Sequence, residues 1–259
     1  MIGLMVRCKD EPYVNEFVHY YLSQGIDMIH ILDDDSATDL YKEVRKNPKV
    51  VVSFGKDIIQ TGVVNEFYKS IKNKYEWLLF VDMDEYITSK KTIREELETT
   101  FRNCHCVKVP WVMMACNSIQ KNPDSLLQTN IYRMNHDLKH PGEGKFRCRY
   151  AAIEVKCIFK PRFFENVNDH HPVNPTGSVR VVESVRNTTH ALNPFYENLR
   201  EKDIEEAYLL CYHYRIVSVE NCANKIKTNL WYTKYKLDEL MANDYPEIKD
   251  ETLKNKCFK

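Results

Sequence analysis

The sequence predicts an α/β fold in which a mostly parallel central sheet is flanked by helices. Short apolar runs alternate along the chain with segments whose apolar residues recur at helical spacing, and this alternation is typical of parallel sheets. Two of the apolar runs end in clusters of aspartates. The 259 residues are enough for one large domain with a substantial core. We find no repeat, low-complexity linker or second domain.

The elements are predicted in chain order from these patterns. Apolar runs predict strands over 2–6, 28–32, 50–54, 77–81 and 107–114. Helical spacing predicts helices over 13–24, 62–74 and 92–101, and Gly25 is placed to end the first helix. Alternation predicts one or two strands over 150–164, and 219–243 is expected to be helical. The polar stretch 117–144 carries turn signals and is predicted to be a loop that covers a ligand or binds an acceptor.

The strand over 77–81 runs directly into Asp82-Met83-Asp84. In an extended chain, residues two apart point to the same side, so Asp82 and Asp84 are expected to reach one point. Their carboxylate oxygens suit Mg²⁺ or Mn²⁺ beside a diphosphate. The alternative is an aspartate-rich loop that caps the next helix.

A second acidic cluster, Asp33-Asp34-Asp35, follows the strand over 28–32. Since α/β proteins bind ligands at the carboxyl ends of their strands, two strands that end in acids predict one shared acidic edge. These aspartates could instead cap a helix over 38–44. We expect one of the three to cap and another to bind.

Four landmarks resemble the GT-A glycosyltransferases, and within them the family 2-like and family 92 group. They are the loop Arg7-Cys8-Lys9-Asp10-Glu11, the strand end Asp33-Asp34-Asp35-Ser36, the D-x-D strand from Trp77 to Ile87, and Cys211-Tyr212-His213-Tyr214 with Ser218 and Lys225 after it. The resemblance is good over 1–90 and looser over 150–230. The chain departs from it at Asp10, where the group often has Asn, and at Tyr86, where it often has Phe.

The resemblance implies one GT-A domain over 1–259, with a nucleotide-sugar-binding half (1–115) and an acceptor-binding half (116–259). The implied reaction transfers a sugar from a UDP-sugar to a glycan or another hydroxyl acceptor, with inversion at the anomeric carbon and with Mn²⁺ or Mg²⁺ as cofactor. Asp84 would bind the metal directly, and Asp82 would contact the metal or the ribose. His213 would be the third ligand, with His171 and His190 as competitors. A hydrogen-bonded structural histidine is the alternative for each.

The same resemblance places the nucleoside at the ends of the first two strands, near Arg7 and Glu11 and near Asp33 and Asp35. The attacking hydroxyl needs a carboxylate as general base, and no spacing selects one of the candidates. These candidates are Asp137, Glu143, Glu154 and Asp169, of which Glu143 is favoured because glycines flank it. Basic residues at 156, 160 and 162 match a basic strand of the group, or else form a solvated strand face.

Two other functions are compatible with the D-x-D pattern. Haloacid-dehalogenase-type phosphatases also place this pattern after an apolar run, but they have Thr or Val where this chain has Tyr86, and their acidic strand comes first. A non-catalytic sugar-nucleotide-binding protein could share the same fold. Incubation with a panel of nucleotide sugars and Mn²⁺ distinguishes the glycosyltransferase, the phosphatase and the non-catalytic binding protein.

Composition and charge exclude some classes of partner and compartment. Lys plus Arg equals Asp plus Glu at 37 each, which argues against a broad nucleic-acid-binding surface. The nine cysteines lack a repeated C-x-x-C spacing and are expected to be free thiols in a reducing compartment. No apolar run is long enough for a transmembrane segment, and the first residues do not resemble a secretory signal. A cytoplasmic protein, or a domain of a longer protein, is therefore expected.

Overall fold

In the computed structural model, which describes residues 1–37, 39–58, 62–141 and 152–257, most apolar runs become strands. The strands are β1 (Ile2–Cys8), β2 (Met28–Asp34), β3 (Val50–Gly55), β4 (Trp77–Asp82), β5 (Glu85–Ser89), β6 (Cys106–Ala115), β7 (Tyr132–Arg133), β8 (Ala152–Phe159), β9 (Phe164–Val167), β10 (Pro172–Pro175), β11 (Val181–Glu183), β12 (Phe195–Glu197), β13 (Leu209–His213) and β14 (Ile248–Lys249). The helices are α1 (Val14–Ser23), α2 (Val63–Ile71), α3 (Ile93–Glu98), α4 (Leu126–Thr129), α5 (Glu201–Glu206), α6 (Val219–Thr228), α7 (Leu237–Met241) and α8 (Thr252–Cys257).

The main sheet has the strand order β14-β7-β6-β8-β4-β1-β2-β3. Its amino-terminal strands, β3, β2, β1 and β4, are parallel to one another. β8 is antiparallel to both β4 and β6, so β6 runs in the same direction as β4. β13 is parallel to β6. The carboxyl ends of β1, β2, β4, β6 and β13 therefore lie at one edge of the sheet.

This architecture confirms the predicted α/β class with a mostly parallel central sheet flanked by helices. One cluster of buried apolar residues extends from Ile2 to Leu253. α1 buries Val14, Phe17 and Tyr21 on one face, as its spacing predicts. Gly25 follows this helix with a φ of +88°, and a side chain there would collide with Arg94, which explains why glycine ends the helix.

One predicted helix and one predicted loop differ from the structure. The predicted helix over 38–44 is replaced, in the described part, by a 3₁₀ turn at Val44–Lys46, and Thr38 lies outside the described residues. The predicted loop over 117–144 contains α4 and β7 within its described part. Leu127 is buried there, and its backbone N–H donates to Glu16 Oε1 at 2.7 Å. Residues far away in the sequence thus provide hydrogen-bond partners for this segment, and the segment packs on the core.

The described cysteines are free, and all except Cys257 are buried. Within the described ranges, no helix is both long enough and apolar enough to cross a bilayer.

Tyr86 provides a test of how the core is packed beside the D-x-D strand. Its ring is fully buried and packs against Phe17 and Tyr20, but its hydroxyl has no hydrogen-bond partner among the described residues. Because a buried unpaired hydroxyl costs about 1–3 kcal/mol, we expect Tyr86→Phe to leave the free energy of unfolding unchanged or to raise it by about 1 kcal/mol. Urea denaturation measures this change.

Tyr21→Phe is the matched control. The Tyr21 hydroxyl donates to Glu85 O and accepts from Ile87 N–H, both at 2.9 Å. Its removal leaves these backbone groups unpaired, and a loss of about 1–3 kcal/mol is expected. A Tyr86→Phe protein that loses as much as the Tyr21→Phe protein would contradict this interpretation.

Candidate functional site

A cavity of about 310 Å³ opens at the carboxyl edge of the sheet, and its volume lies in the range of small-ligand sites. Both halves of the sequence contribute to its wall. The residues from the first half include Arg7, Lys9, Glu11, Asp34, Asp82, Asp84 and Trp111. Those from the second half include Glu154, Asp169, His170, His213, Arg215, Lys225, Trp231 and Tyr232.

The two D-x-D aspartates reach this cavity by a route that differs from the prediction. β4 ends at Asp82, and Met83 and Asp84 form a turn before β5 begins at Glu85. The chain is therefore not extended through the motif. The turn is held by Asp82 N–H, which donates to Glu85 Oε2 at 2.7 Å, and by Tyr214 N–H, which donates to Asp84 O at 2.8 Å.

Asp82 is bound by two cationic side chains. Its Oδ1 lies 2.8 Å from Arg7 Nη2, and its Oδ2 lies 3.0 Å from Lys156 Nζ. The Lys156 side chain is only 1% exposed. Burial would raise the pKa of Asp82, but the attraction of Arg7 and Lys156 outweighs burial and lowers it. Asp82 is therefore ionised, with both oxygens occupied.

Asp84 is bound mainly by Lys225 from α6. Lys225 Nζ lies 2.7 Å from Asp84 Oδ2 and 3.5 Å from Glu11 Oε1. Burial opposes ionisation of Asp84, but Lys225 and then His213 lower its pKa. For Glu11, burial is the larger effect and raises the pKa despite Lys225. A buried ammonium group thus lies between two carboxyl groups at the cavity wall.

Glu85 is a member of this cluster that the sequence analysis assigned no role. Its side chain is fully buried, and Oε2 lies 3.1 Å from Lys156 Nζ. Burial raises its pKa to about 8, against the attraction of Lys156. Glu85 is therefore mostly protonated at neutral pH, and it fixes the turn through its bond to Asp82 N–H. Its position directly after the D-x-D is the signal that could have identified it.

His213 lies at the end of β13, where the pairing with β6 brings it beside Trp111 at a ring-centroid distance of 4.2 Å. Burial lowers its pKa to about 3, so the imidazole is neutral at pH 7. Its Nε2 is 3.7 Å from Asp84 Oδ1. The competitors lie elsewhere: His190 contacts Lys108 Nζ through Nδ1 at 2.8 Å, and His171 is absent from the cavity wall, which has His170 instead.

The predicted metal ligands do not fit a divalent ion in this arrangement. Within the described residues, no three His, Cys, Asp or Glu side chains are grouped closely enough to hold a metal. Both oxygens of Asp82 and one of Asp84 already contact guanidinium or ammonium groups. Dependence on Mn²⁺ or Mg²⁺ stays a prediction from sequence.

The three acids at the end of β2 are divided between two hollows. Asp34 lines the cavity, whereas Asp33 and Asp35 line a separate hollow. Asp33 is buried, its Oδ2 accepts from Ser36 N–H at 3.1 Å, and its Oδ1 accepts from the Tyr41 hydroxyl, so it holds the loop in place rather than capping a helix. Asp35 is exposed and is 3.6 Å from Lys56 Nζ. Because β2 extends to Asp34, the alternation of side chains turns Asp33 away from the cavity, and Asp35 follows the strand with a φ of 61°.

The general-base candidates differ in whether they line the cavity. Asp169 and Glu154 line the cavity. Asp137 does not line this cavity; it is exposed, and its Oδ1 accepts from Glu201 N–H at 3.2 Å, at the start of α5. Glu143 lies outside the described residues.

The basic strand is not a solvated face. Lys156 and Lys160 are buried, and Lys160 Nζ donates to Arg102 O at 2.8 Å and lies 4.7 Å from the centre of the Trp77 ring. Of the three basic residues, only Arg162 is exposed. Lys156 alone contacts the D-x-D cluster, so this strand supplies one cation to the site.

Comparisons with known proteins found no matching family model and no significant match among curated proteins. Among solved structures, the chain is similar to HddC from Yersinia pseudotuberculosis, with 10% identity, a TM-score of 0.39 and coverage of 80% of this chain and 98% of that chain. It is also similar to S. aureus TarS 1-349 in complex with UDP, with 13% identity, a TM-score of 0.43 and coverage of 93% of this chain and 69% of that chain.

A third similar structure is the 4-diphosphocytidyl-2C-methyl-D-erythritol synthase of Anaerococcus prevotii. It is 12% identical, with a TM-score of 0.37 and coverage of 80% of this chain and 94% of that chain. At these identities and TM-scores, the similarities assign no activity to the chain.

Proposed function

We propose that this protein is a glycosyltransferase of the GT-A type, which transfers a sugar from a nucleoside-diphosphate sugar to a hydroxyl acceptor. The observation that carries the proposal is the cavity at the carboxyl edge of the sheet, in which the D-x-D aspartates lie among basic side chains. The resemblance of the first strand loop, the D-x-D strand and the His213 segment to family 2-like and family 92 glycosyltransferases supports the same reaction.

The charges of the cavity suit a diphosphate. Arg7, Lys9, Arg215 and Lys225 line it, and Arg and Lys are the usual protein ligands of phosphate oxygens. The loop after β1 supplies Lys9 and the end of β2 supplies Asp34, at the strand ends where a nucleoside would sit. A carboxylate there can accept the N3–H of uracil, which supports UDP as the carrier.

The aromatic wall suits a sugar. Trp111, Trp231 and Tyr232 line the same cavity, and the ring of Trp231 packs against Tyr232 at a centroid distance of 4.8 Å. Sugar rings present C–H groups on their faces and hydroxyls at their edges, so aromatic rings next to charged groups match both. Two sugars, one from the donor and one from the acceptor, would meet between these rings and the D-x-D cluster.

Asp169 is the proposed general base, because it lines the cavity and its backbone carbonyl is fixed by Lys156 Nζ at 2.7 Å. We expect Asp169→Asn to lower the rate of transfer by roughly 10²–10⁴-fold, the range for a lost acid–base group, and to leave nucleotide affinity unchanged. Single-turnover transfer assays and calorimetry measure the two quantities. Asp137→Asn is the control, since this aspartate lies outside the cavity. A full rate in the Asp169→Asn protein combined with a lost rate in Glu154→Gln would assign the base to Glu154 instead.

The phosphatase alternative would require Asp82 to attack phosphorus as a nucleophile. Its carboxylate bridges Arg7 and Lys156 instead. Each carboxylate oxygen therefore contacts a cation of the protein, which would compete with an attack on phosphorus. This arrangement favours the transferase.

The decisive assay incubates the protein with UDP-, GDP-, CDP- and ADP-sugars and follows release of the nucleoside diphosphate, with and without a mixture of glycan acceptors. Slow release from one donor, accelerated by an acceptor, is expected. Release of phosphate from simple phosphate esters would favour a phosphatase. Binding of a nucleotide sugar with no turnover would favour the non-catalytic alternative.

A further inference from the structure

Lys225 occupies the position at which the D-x-D pattern leads one to expect a metal ion. Its side chain is 9% exposed, and Nζ contacts Asp84 Oδ2 at 2.7 Å, Glu11 Oε1 at 3.5 Å and Arg215 O at 3.4 Å. These partners come from the loop after β1, the D-x-D turn and the segment after β13. Such convergence of three separate segments on one buried ammonium group is a built cation site.

Asp82, the other motif aspartate, has the same kind of partner. Arg7 and Lys156 bind its two oxygens at 2.8 and 3.0 Å. Lys156 comes from β8 and Arg7 from β1, so both cations are held by strands of the main sheet rather than by mobile surface side chains. Both acids of the motif are therefore neutralised by the protein's own cations.

We propose that Lys225, held by Asp84 and Glu11, takes the place of the divalent cation, so that the site binds a nucleoside diphosphate without a metal. The inference rests on the proposed transferase function. Lys225 and Arg7 both line the cavity, and fixed Lys and Arg groups can stabilise phosphate charge as a metal does. The carboxylates of Asp82 and Asp84 then serve to orient cations rather than to bind a metal.

The transfer step balances without a metal. The bond between the anomeric carbon and the diphosphate oxygen breaks, and its electron pair stays on the diphosphate, where Lys225 and Arg7 offset the added charge. The acceptor oxygen bonds to the anomeric carbon, and its proton passes to the carboxylate of Asp169. A metal ion bound to the other oxygen of Asp84, Oδ1, would lie close to the ammonium group that contacts Oδ2 at 2.7 Å, and two cations at that separation repel each other.

The test is calorimetric titration of the full chain with UDP, GDP, CDP and ADP, in EDTA and again in MnCl₂. The wild-type protein is expected to bind one of them with the same dissociation constant in both buffers. Lys225→Met is expected to weaken binding at least tenfold in EDTA, and Mn²⁺ is expected to restore part of it, because Asp84 and Glu11 are then free to bind the ion. Lys227→Met, which removes an exposed lysine from the same helix, is expected to bind as the wild type does.

Wild-type binding that requires Mn²⁺ would overturn the inference and leave the proposed function intact. Wild-type affinity in a folded Lys225→Met protein would also overturn it. Failure to bind any of the four nucleotides in either buffer would overturn the proposed function together with the inference. The wild-type comparison needs no variant, so the inference can be rejected even if Lys225→Met does not fold.

Discussion

A Lys156→Met protein is expected to lose roughly 3–5 kcal/mol of its free energy of unfolding at neutral pH, the cost of removing one partner from a buried ion pair. Lys156 is 1% exposed and contacts Asp82 Oδ2, Glu85 Oε2 and Asp169 O. Methionine fills the same space but leaves the two carboxyl groups without this cation. Urea denaturation at pH 7 measures the loss.

Lys160→Met is the matched control for this substitution. Lys160 lies on the same basic segment and is also buried, but its Nζ donates to a neutral carbonyl, that of Arg102. We expect Lys160→Met to cost roughly 1.5–3 kcal/mol, as for a hydrogen bond of a charged group. Equal losses in the two lysine variants would contradict the assigned role of Lys156.

A large loss of activity is also expected for Asp84→Asn. This carboxylate holds Lys225 at 2.7 Å, and it is also the metal ligand that the resemblance predicts. Either function is lost with the charge, so we expect donor turnover to fall by roughly 10²–10³-fold, as when one group that stabilises transition-state charge is removed. Release of nucleoside diphosphate from the donor measures it.

Asp35→Asn is the control for Asp84→Asn. Asp35 is exposed beside a separate hollow and has a φ of 61°, which asparagine also tolerates. The donor turnover of the Asp35→Asn protein is expected to match that of the wild type. An Asp84→Asn protein with an unchanged melting temperature and full turnover would remove Asp84 from the site.

The sheet and its acidic edge could be predicted because they depend on local patterns. The runs before Asp34 and Asp82 are apolar on both faces, as in a strand covered by helices on both sides, and parallel strands bring their carboxyl ends to one edge. The nucleoside ligands Asp33 and Asp35 came from the resemblance, which took no account of strand alternation; β2 continues two residues beyond the predicted boundary, so Asp33 and Asp34 point to opposite faces of the sheet.

The cations of the site could not be predicted in the same way. Lys156 is 74 residues from Asp82, and Lys225 is 141 residues from Asp84. No periodicity links such positions, because their contact depends on where the fold places β8 within the sheet and α6 beside the D-x-D turn. The resemblance pointed to Lys225 as a position but gave it no role. The turn at Met83 was also missed, since an alternating pattern cannot distinguish an extended D-x-D from a turned one.

The proposed function requires that the cavity between Arg7, Asp84 and Trp231 bind a nucleoside-diphosphate sugar. A crystal structure of the protein with the donor selected by the panel shows where that donor binds. We expect diphosphate oxygens within about 3 Å of Lys225 Nζ and the Arg7 guanidinium, the normal hydrogen-bond distance, with the sugar against the aromatic wall. A nucleotide bound in the separate hollow beside Asp33, with the main cavity empty, would contradict it.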